Sequence, residues 1–337
     1  MSPSNHDSTS SSDKDLITLA EEMFAEERLL VAMRLLKQVS DEKLLTDKHR
    51  NMLDVASHCE TAIADLIGAP EDAGEGWTKQ GEVHGDRDTL IYYKVDDEVR
   101  LTCRIETPIE ASLLIPLLSV LNEVDLYETW IPSLNYPFKI GIKQSRQLQQ
   151  VSKTNQILQV SGNVPWPFAV REVIMQALAF DDIDDNGFIG VRMSSLESGD
   201  IVPPLEAGTV RVEFEGAMLF RACPADHPTL NNSHNKYNEP LILVSFKMNL
   251  DAHMTTFPQR FINFVTRTVV GRIWGMLLEV AGDIQNGRRP LHKDVIASKA
   301  NFYRWMQSRI DIMLNKIKTT HTGSIREDNE FIAYLQG

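Results

Sequence analysis

The sequence predicts an α+β protein in which a mainly antiparallel sheet lies between helical segments at the two ends of the chain. Apolar residues recur at helical spacing over residues 14–67 and again over residues 258–317. The segments between them are rich in β-branched and aromatic residues and are separated by turn residues, a pattern typical of strands. Asn186 and Gly187 lie between two apolar runs and predict a hairpin, because both residues tolerate positive φ. Strands joined by hairpins run antiparallel, which gives the predicted class.

The N-terminal region is predicted to consist of a tail and two helices. Residues 1–13 are polar and serine-rich, and we expect them to be disordered. Residues 14–70 are predicted to form a helical hairpin that is interrupted at Ser40 and Asp41 and ends before Pro70. A single hairpin cannot bury its own apolar face. It is therefore expected to pack on the rest of the chain or on a protein partner.

The central region is predicted to carry the strands. They are expected over residues 89–95, 99–106, 138–149, 155–164, 170–183, 188–196, 209–222 and 240–250. One helix, residues 109–122, interrupts them, and a long helix over residues 258–284 follows. Gly271 and Gly275 on that long helix each cost about 1 kcal/mol against alanine, so we expect them to allow close approach to a flat sheet. An additional C-terminal helix is predicted within residues 290–320.

Charge and composition favour a cytoplasmic protein. The 337 residues carry a formal net charge of -13, and no basic stripe is interleaved with aromatic residues, which argues against nucleic acid as a partner. No run approaches the roughly 20 apolar residues of a membrane-spanning helix. The three cysteines are far apart and form no metal-binding pair, as expected in a reducing compartment. Residues 258–330 hold 12 basic and 7 acidic residues, a balance typical of a solvated helix face or of transient contact with an anionic membrane.

The motifs of common enzymes and cofactor sites are missing from the sequence. The nine histidines are scattered, with no HExxH motif and no Cys/His ligand spacing. No GxSxG elbow, P-loop or dinucleotide fingerprint occurs. His227 and His234, with Asp226 beside the first, lie in a loop rich in proline and asparagine, where such groups are usually solvated. We therefore predict no catalytic residue, no metal and no cofactor, and a binding protein rather than an enzyme.

Several segments of the central region occur together in a known order. Residues 164–173 read Val-Pro-Trp-Pro-Phe-Ala-Val-Arg-Glu-Val. Residues 121–132 run from Leu-Asn-Glu-Val to Trp-Ile-Pro, and residues 249–264 join the last predicted strand to the long helix. With these segments, residues 77–285 resemble the START (StAR-related lipid transfer) family, many of whose members have a similar PWP(F/L)xxRE or PWP(F/L)xxRD segment.

The resemblance implies a helix-grip fold, in which a curved antiparallel sheet closes on a long C-terminal helix around one lipid molecule. It also implies that this helix and a neighbouring loop act as a lid. The sequence departs from the family pattern at two places. Glu172 stands where aspartate is common, and no DxxGxxP form occurs between Asp251 and Pro258. The chain is in this respect more similar to START-like proteins of plants and protists than to the animal sterol carriers.

Candidate ligand contacts follow from this resemblance. We expect lipid contacts from Trp166, Phe168, Arg171, Arg192, Phe214, Phe246, Phe261, Phe264, Val265 and Val269. For the helix residues the alternative is core packing between helix and sheet. For the two arginines it is an outward, solvated position, because a buried arginine needs a carboxylate or a ligand headgroup as partner.

Three functions remain open at this point. The first is intracellular binding or transfer of a lipid ligand, gated by the C-terminal helix and involving transient membrane contact. The second is a regulatory or interaction protein that keeps the fold but has a filled cavity, with the helical hairpin as the surface for a protein partner. The third is a hydrolase or cyclase, which would need an acid–base pair inside the cavity.

Overall fold

The computed structural model describes residues 6–67, 77–83, 87–95, 100–133, 140–165, 168–230, 239–251, 253 and 259–320. Within these residues the chain forms eight α-helices and ten strands. The strands make up one curved sheet that is antiparallel except for one short parallel pairing, and a long helix covers it near the C-terminal end. The predicted α+β class with a helix-grip arrangement is therefore confirmed.

The ten strands are β1 Thr78–Val83, β2 Thr89–Val95, β3 Leu101–Glu110, β4 Gly141–Gln150, β5 Asn155–Asn163, β6 Val170–Asp181, β7 Ile189–Ser195, β8 Thr209–Arg211, β9 Glu213–Ala222 and β10 Leu241–Asp251. Their order across the sheet is β1-β2-β3-β10-β9-β7-β6-β5-β4, and β8 pairs with β6. The last strand, β10, thus joins the first three strands to the others. The two edge strands, β1 and β4, are both irregular: the register shifts once in β1 and twice in β4.

The two faces of the sheet bury different sets of side chains, because successive residues of a strand point to opposite faces. On β9, Met218 and Phe220 belong to the core under the C-terminal helix. Their neighbours Ala217 and Leu219 pack against the N-terminal helices. We call the first face inner and the second face outer. Both faces of the sheet are covered. Strand β9 therefore has a run of consecutive apolar residues, whereas a strand exposed on one face would alternate apolar and polar residues.

Three helices, and not the predicted two, form the N-terminal region: α1 His6–Ala25, α2 Leu29–Lys37 and α3 Asp47–Ala64. The first predicted helix is divided because Glu27 adopts a φ of 67°, outside the helical region. Gly68 and Pro70, where the hairpin was predicted to end, lie outside the described residues.

The prediction of a disordered tail over residues 1–13 is wrong for its second half. Helix α1 begins at His6. The helix extends into the polar segment because each residue added to an existing helix gains a backbone hydrogen bond. Asp13 is only 3% exposed, and its carboxylate accepts hydrogen bonds from the backbone nitrogens of Ser40 (3.2 Å) and Asp41 (3.0 Å). These bonds hold the start of the chain against the connection between α2 and α3. Residues 1–5 lie outside the described part of the chain.

The N-terminal helices pack on the outer face of the sheet, which is one of the two arrangements predicted for them. Arg104 on β3 donates to the backbone carbonyls of Asp65 (2.6 Å) and Leu66 (3.3 Å), just after α3. Arg221 on β9 donates to the carbonyl of Ile67 (3.5 Å). Carbonyls at a helix C-terminus lack partners within the helix, and cations there are favourable. The two arginines therefore fix the end of α3 to the sheet.

Helices α4 Leu114–Asn122, α5 Gln259–Phe264 and α6 Val270–Gln285 cover the inner face. A π-helical segment, Val265–Val269, joins α5 to α6, so the long predicted helix is continuous but has one widened turn. Helices α7 Pro290–Ser298 and α8 Ala300–Thr320 follow. The single additional helix predicted there is divided because Lys299 has a φ of -100° and a ψ of 30°.

Trp274 fixes α6 to the middle of the sheet. Its side chain is 4% exposed, its indole nitrogen donates to Thr107 Oγ1 (2.8 Å), and its ring stacks on Phe246 at 5.9 Å between centroids. The close approach predicted for the helix glycines is found at Gly271, where an added Cβ would lie 3.2 Å from Ile91 Cδ1. It is not found at Gly275, where an added Cβ would meet nothing within 4 Å.

Gly190 on β7 is expected to tolerate no side chain. It pairs with Phe180 on β6, and an added Cβ would lie 2.3 Å from Phe180 Cζ. Phe180 is 2% exposed, so its ring has no free space to enter. We expect Gly190→Ala to lower the free energy of unfolding by about 1–3 kcal/mol, the usual cost of overpacking, as measured by urea denaturation. Gly282→Ala on α6, with open space around it, is the control; equal stability of the two variants would contradict this packing.

Candidate functional site

A cavity of about 560 Å³ lies between the inner face of the sheet and the helices that cover it. Side chains of β3, β5, β6, β7, β9 and β10 form one wall, and the π-helical segment, α4, α6 and α8 supply the other. The volume falls in the range of small-molecule pockets. Most lining side chains are apolar, so transfer of an apolar ligand from water into this space is favourable.

Among the described residues, one end of the cavity is lined by apolar side chains alone. Val160 on β5 and Val173 on β6 lie opposite each other there, together with Phe214, Leu250 and Val265. The same residues pack with a neighbouring apolar cluster that contains the buried side chain of Phe261 from α5. We call this region the α5 end.

The other end, which we call the α8 end, carries the polar lining groups. They are Glu27, Asn122, Thr154, Gln156, Asp181 and Arg309. Hydrogen bonds connect them in pairs: Thr154 Oγ1 donates to Glu27 (2.8 Å), Gln156 Nε2 to the carbonyl of Asn122 (3.3 Å), and Arg309 to Asp181 (2.6 Å). Gln156 and Val160 are four residues apart on β5, about 13 Å at the usual rise of a strand. The cavity is therefore polar at one end and apolar at the other.

Ion pairs hold α8 against the sheet at the polar end. Arg309 on α8 pairs with Asp181 (2.6 Å) and Asp184 (3.0 Å), and Arg28, at the start of α2, pairs with Asp184 (2.5 Å). Partial burial opposes ionisation of Asp184, but the hydrogen bonds and charges of Arg309 and Arg28 outweigh it and lower the pKa of this carboxyl. Asp184 is therefore charged at neutral pH and connects the first and last helical regions of the chain.

Two aromatic residues next to α4, Tyr127 and Trp130, line the cavity. Tyr127 donates its hydroxyl to the carbonyl of Leu121 (2.7 Å), and burial raises the pKa of this phenol above its ordinary value. The ring of Trp130 lies edge-on to that of Tyr127, with 5.5 Å between centroids. Trp130 is 5% exposed, and its indole nitrogen has no hydrogen-bond acceptor among the described residues.

The structure brings four of the predicted contact residues together along the cavity. Phe214, Phe246, Val265 and Val269 line it. Phe168 and Phe261 belong to the adjoining apolar cluster at the α5 end, outside the lining. Phe264 is half-buried and does not line the cavity. Trp166 lies outside the described residues.

Neither predicted arginine lies in the cavity. Val191 and Met193 on β7 line it, so Arg192 between them points to the outer face, where it pairs with Glu215 (3.7 Å). Arg171 donates to the backbone carbonyls of Ala169 (2.7 Å) and His253 (3.3 Å) and is absent from the lining. Arg192 thus faces away from the cavity, and Arg171 lies outside its lining, so ligand contact is disfavoured for Arg192 and stays a prediction for Arg171.

Helix α8 supplies lining residues that the sequence reasoning missed. Phe302, Trp305, Met306, Arg309 and Ile310 all line the cavity. The helical spacing of these apolar residues is visible in the sequence and could have indicated a buried face. Their role was missed because the resemblance covers residues 77–285 and α8 lies beyond it.

The described residues hold no group of three or more His, Cys, Asp or Glu side chains that could bind a metal ion. The two carboxylates of the cavity are already engaged: Glu27 accepts hydrogen bonds from the β4–β5 connection, and Asp181 pairs with Arg309. None of the described helices has the length and apolar character needed to cross a membrane.

No family model and no curated protein matches the chain. Solved structures that resemble it include a STAR-related lipid transfer protein from Xanthomonas axonopodis, with 18% identity over 63% of this chain and 99% of that chain and a TM-score of 0.43. Human STARD10 resembles it with 13% identity over 79% and 89% of the two chains and a TM-score of 0.47. The di-domain ARO/CYC StfQ from the steffimycin biosynthetic pathway resembles it with 9% identity over 70% and 94% and a TM-score of 0.31.

The resemblance to START domains noted in the sequence is thus found again among solved structures. Closer similarity to the plant and protist proteins stays a prediction. At these identities and TM-scores the likeness does not extend to ligand or mechanism, so the function proposed below depends on the cavity.

Proposed function

We propose that this protein binds one lipid molecule in the cavity and carries it in transient contact with membranes. The cavity itself supports this most: about 560 Å³ of space with mostly apolar walls. An empty space of this kind is unfavourable because the atoms that line it lack partners on one side. An apolar ligand supplies those partners. The alternative in which side chains fill the interior is disfavoured by the same volume.

The volume favours one hydrocarbon chain or one fused ring system. About 560 Å³ of mostly apolar space lies within the range of pockets that hold one small molecule. We therefore propose a ligand of the size of a single-chain lipid.

We propose that α5 and the π-helical segment form the lid. Val265 and Val269 line the cavity, while Trp274, one to two turns further along, is bonded to the sheet. The widened turn lies between the proposed lid and this fixed part, and such turns are frequent at functional sites. Opening of α5 alone would expose the apolar end of the cavity without unfolding the sheet.

Membrane contact is proposed for the cationic C-terminal helices. Lys293 on α7, and Arg304 and Lys318 on α8, are exposed. Each basic side chain near an anionic membrane surface contributes about 1 kcal/mol of attraction. We propose that the protein acts in the cytoplasm. We also propose that it catalyses no reaction, because Glu27 and Asp181, the carboxylates among the described lining residues, are held by fixed donors and form no acid–base pair with each other.

Recombinant protein is expected to co-purify with a lipid in its cavity. The test is native mass spectrometry of the full chain, followed by solvent extraction and identification of the extract. We expect one lipid per chain, and a rise in the midpoint of thermal unfolding when that lipid is returned to stripped protein. Lysozyme taken through the same purification is the control for adventitious lipid. Protein without lipid that is not stabilised by any single-chain or sterol-sized lipid would contradict the proposed function.

A further inference from the structure

A second pocket, of about 380 Å³, adjoins the polar end of the cavity. Its lining residues are Ala25, Glu26, Arg28, Lys153, Trp305 and Arg309, and we call it the vestibule. It shares Trp305 and Arg309 with the main cavity. The elements that meet there are the α1–α2 turn, the β4–β5 connection and α8. The two spaces therefore adjoin each other at the side chains of Trp305 and Arg309.

The vestibule is rich in hydrogen-bond donors that have no acceptor among the described residues. Arg309 uses Nε and Nη2 for Asp181 and Asp184, and its Nη1 has no acceptor there. Arg28 Nη1 donates to the thioether sulfur of Met23 (3.2 Å), a weak acceptor, whereas Arg28 Nε is buried away from the open pocket.

Lys153 is a third cation of the vestibule. Its ammonium nitrogen lies 4.7 Å from the centroid of the Trp305 ring, a cation–π contact, and forms no ion pair with the described residues. Glu26, the one carboxylate among the vestibule residues, is exposed. Asp181 and Asp184 are shared between Arg309 and Arg28. Glu27, at the same end of the cavity, is held by hydrogen bonds from the β4–β5 connection. The donors left without an acceptor among the described residues, Lys153 Nζ and Arg309 Nη1, match a ligand that brings acceptor oxygens and a negative charge.

From these observations we propose that the ligand is a single-chain amphiphile with an anionic head, a carboxylate or a phosphate monoester. The head lies in the vestibule among Arg28, Lys153 and Arg309, and the chain runs through the cavity toward the α5 end. This inference rests on the proposed function and adds to it the head chemistry and the direction of the ligand. The chain direction follows from the polarity of the cavity, because among the described lining residues the charged groups lie at the α8 end and the α5 end is apolar.

The test compares four ligands on stripped full-length protein: oleate, 1-oleoyl lysophosphatidate, oleyl alcohol and 1-oleoylglycerol. Binding is measured as radiolabelled ligand retained on the protein through gel filtration over a range of concentrations. We expect one or both anionic ligands to bind at least about tenfold more tightly than the neutral ligands of equal chain length, the value of a charge-assisted hydrogen bond. Which anion binds more tightly identifies the head as carboxylate or phosphate.

The matched variants are Lys153→Met and Lys94→Met. Lys153 forms no ion pair, so its removal leaves the pairs that hold α8 intact, and Lys94 is exposed on β2. We expect Lys153→Met to weaken binding of the anionic ligands about tenfold without changing binding of oleyl alcohol, Lys153→Arg to restore it, and Lys94→Met to have no effect. Equal binding of neutral and anionic ligands, or an unchanged preference in Lys153→Met, overturns the head assignment and leaves the proposed function standing. Failure of all four ligands to bind overturns the single-chain ligand, and it overturns the proposed function as well if no sterol-sized lipid stabilises the protein.

Discussion

Ala177→Trp is expected to abolish lipid binding while leaving the protein folded. Ala177 lies on β6 and lines the cavity between Gln156 and Met193, its partners on the neighbouring strands. Tryptophan adds nine non-hydrogen atoms to this wall, so the new indole projects into the space proposed for the ligand. A lipid chain and the new ring cannot occupy the space together.

The measurement is the midpoint of thermal unfolding with and without lipid. A ligand at a hundred times its Kd stabilises the parent protein by about 2.7 kcal/mol, and we expect this increment to disappear in Ala177→Trp. Without lipid, the variant is expected to be at least as stable as the parent, because the ring fills empty space. Gln149→Trp, at an exposed position of β4, is the control and should keep the increment. A variant that is stable and still binds lipid with parental affinity would show that the cavity is not the binding site.

Arg104→Met is expected to cost about 3–5 kcal/mol of the free energy of unfolding, the usual effect of removing one partner of a buried ion pair. Arg104 is 3% exposed and Glu106 is 5% exposed, and Arg104 donates both to this carboxylate and to the carbonyls after α3. Glu106 also contacts His227 Nε2 (3.2 Å), and His227 Nδ1 lies 2.7 Å from Thr229 Oγ1. The variant would leave a buried carboxylate short of donors and release the end of α3 from the sheet.

Urea denaturation measures this loss, and amide hydrogen exchange of residues 60–67 measures the release of α3. The double variant Arg104→Met with Glu106→Gln removes both charges and should recover part of the stability, because a neutral group costs less to bury than an unpaired charge. Arg192→Met, which removes a partly exposed pair on the same face, is the control and should change little. Parental stability of Arg104→Met would mean that this cluster does not hold α3.

The cluster of Arg104, Glu106 and His227 makes the free energy of unfolding depend on pH, with stability lost in acid. Burial opposes ionisation of Glu106, but the hydrogen bond from His227 and the charge and hydrogen bond of Arg104 outweigh it and lower the pKa of this carboxyl. A lowered pKa in the folded state contributes stability that is present above the unfolded value, about 4.3 for glutamate, and is lost as the pH falls toward the folded value. Removal of Arg104 raises the pKa of Glu106. We therefore expect acid unfolding of Arg104→Met to begin at higher pH than in the parent.

Much of the fold was accessible from the sequence because its signals are local. The Asn186-Gly187 turn between two apolar runs marked the β6–β7 hairpin, and Gly187 has a φ of 68° in the structure. The long helix was visible from its spacing, since nothing between Pro258 and Gln285 breaks a helix. The division of the first helix at Glu27 was not visible, because the positive φ there (67°) is imposed by the contacts of Glu27 with the β4–β5 connection. Such contacts arise only after the chain has folded.

The site was predictable in part. Phe214 and Phe246 on the strands and Val265 and Val269 on the long helix were expected from the resemblance and line the cavity. The arginines of β6 and β7 were assigned to the cavity from their apolar neighbours, although a β7 with Val191 and Met193 facing inward requires Arg192 to face outward. The polar end could not be predicted, because Glu27, Thr154, Asp181 and Arg309 come from four distant parts of the sequence and meet only through tertiary packing.

The irregular edge strands bear on how the protein behaves without ligand. A flat sheet edge offers a row of unpaired backbone groups to which a strand of another molecule can add, and interruptions of the register oppose such addition. Both β1 and β4 are interrupted in this way. Protein without ligand is therefore expected to remain dispersed at high concentration, even though its empty interior lowers its stability.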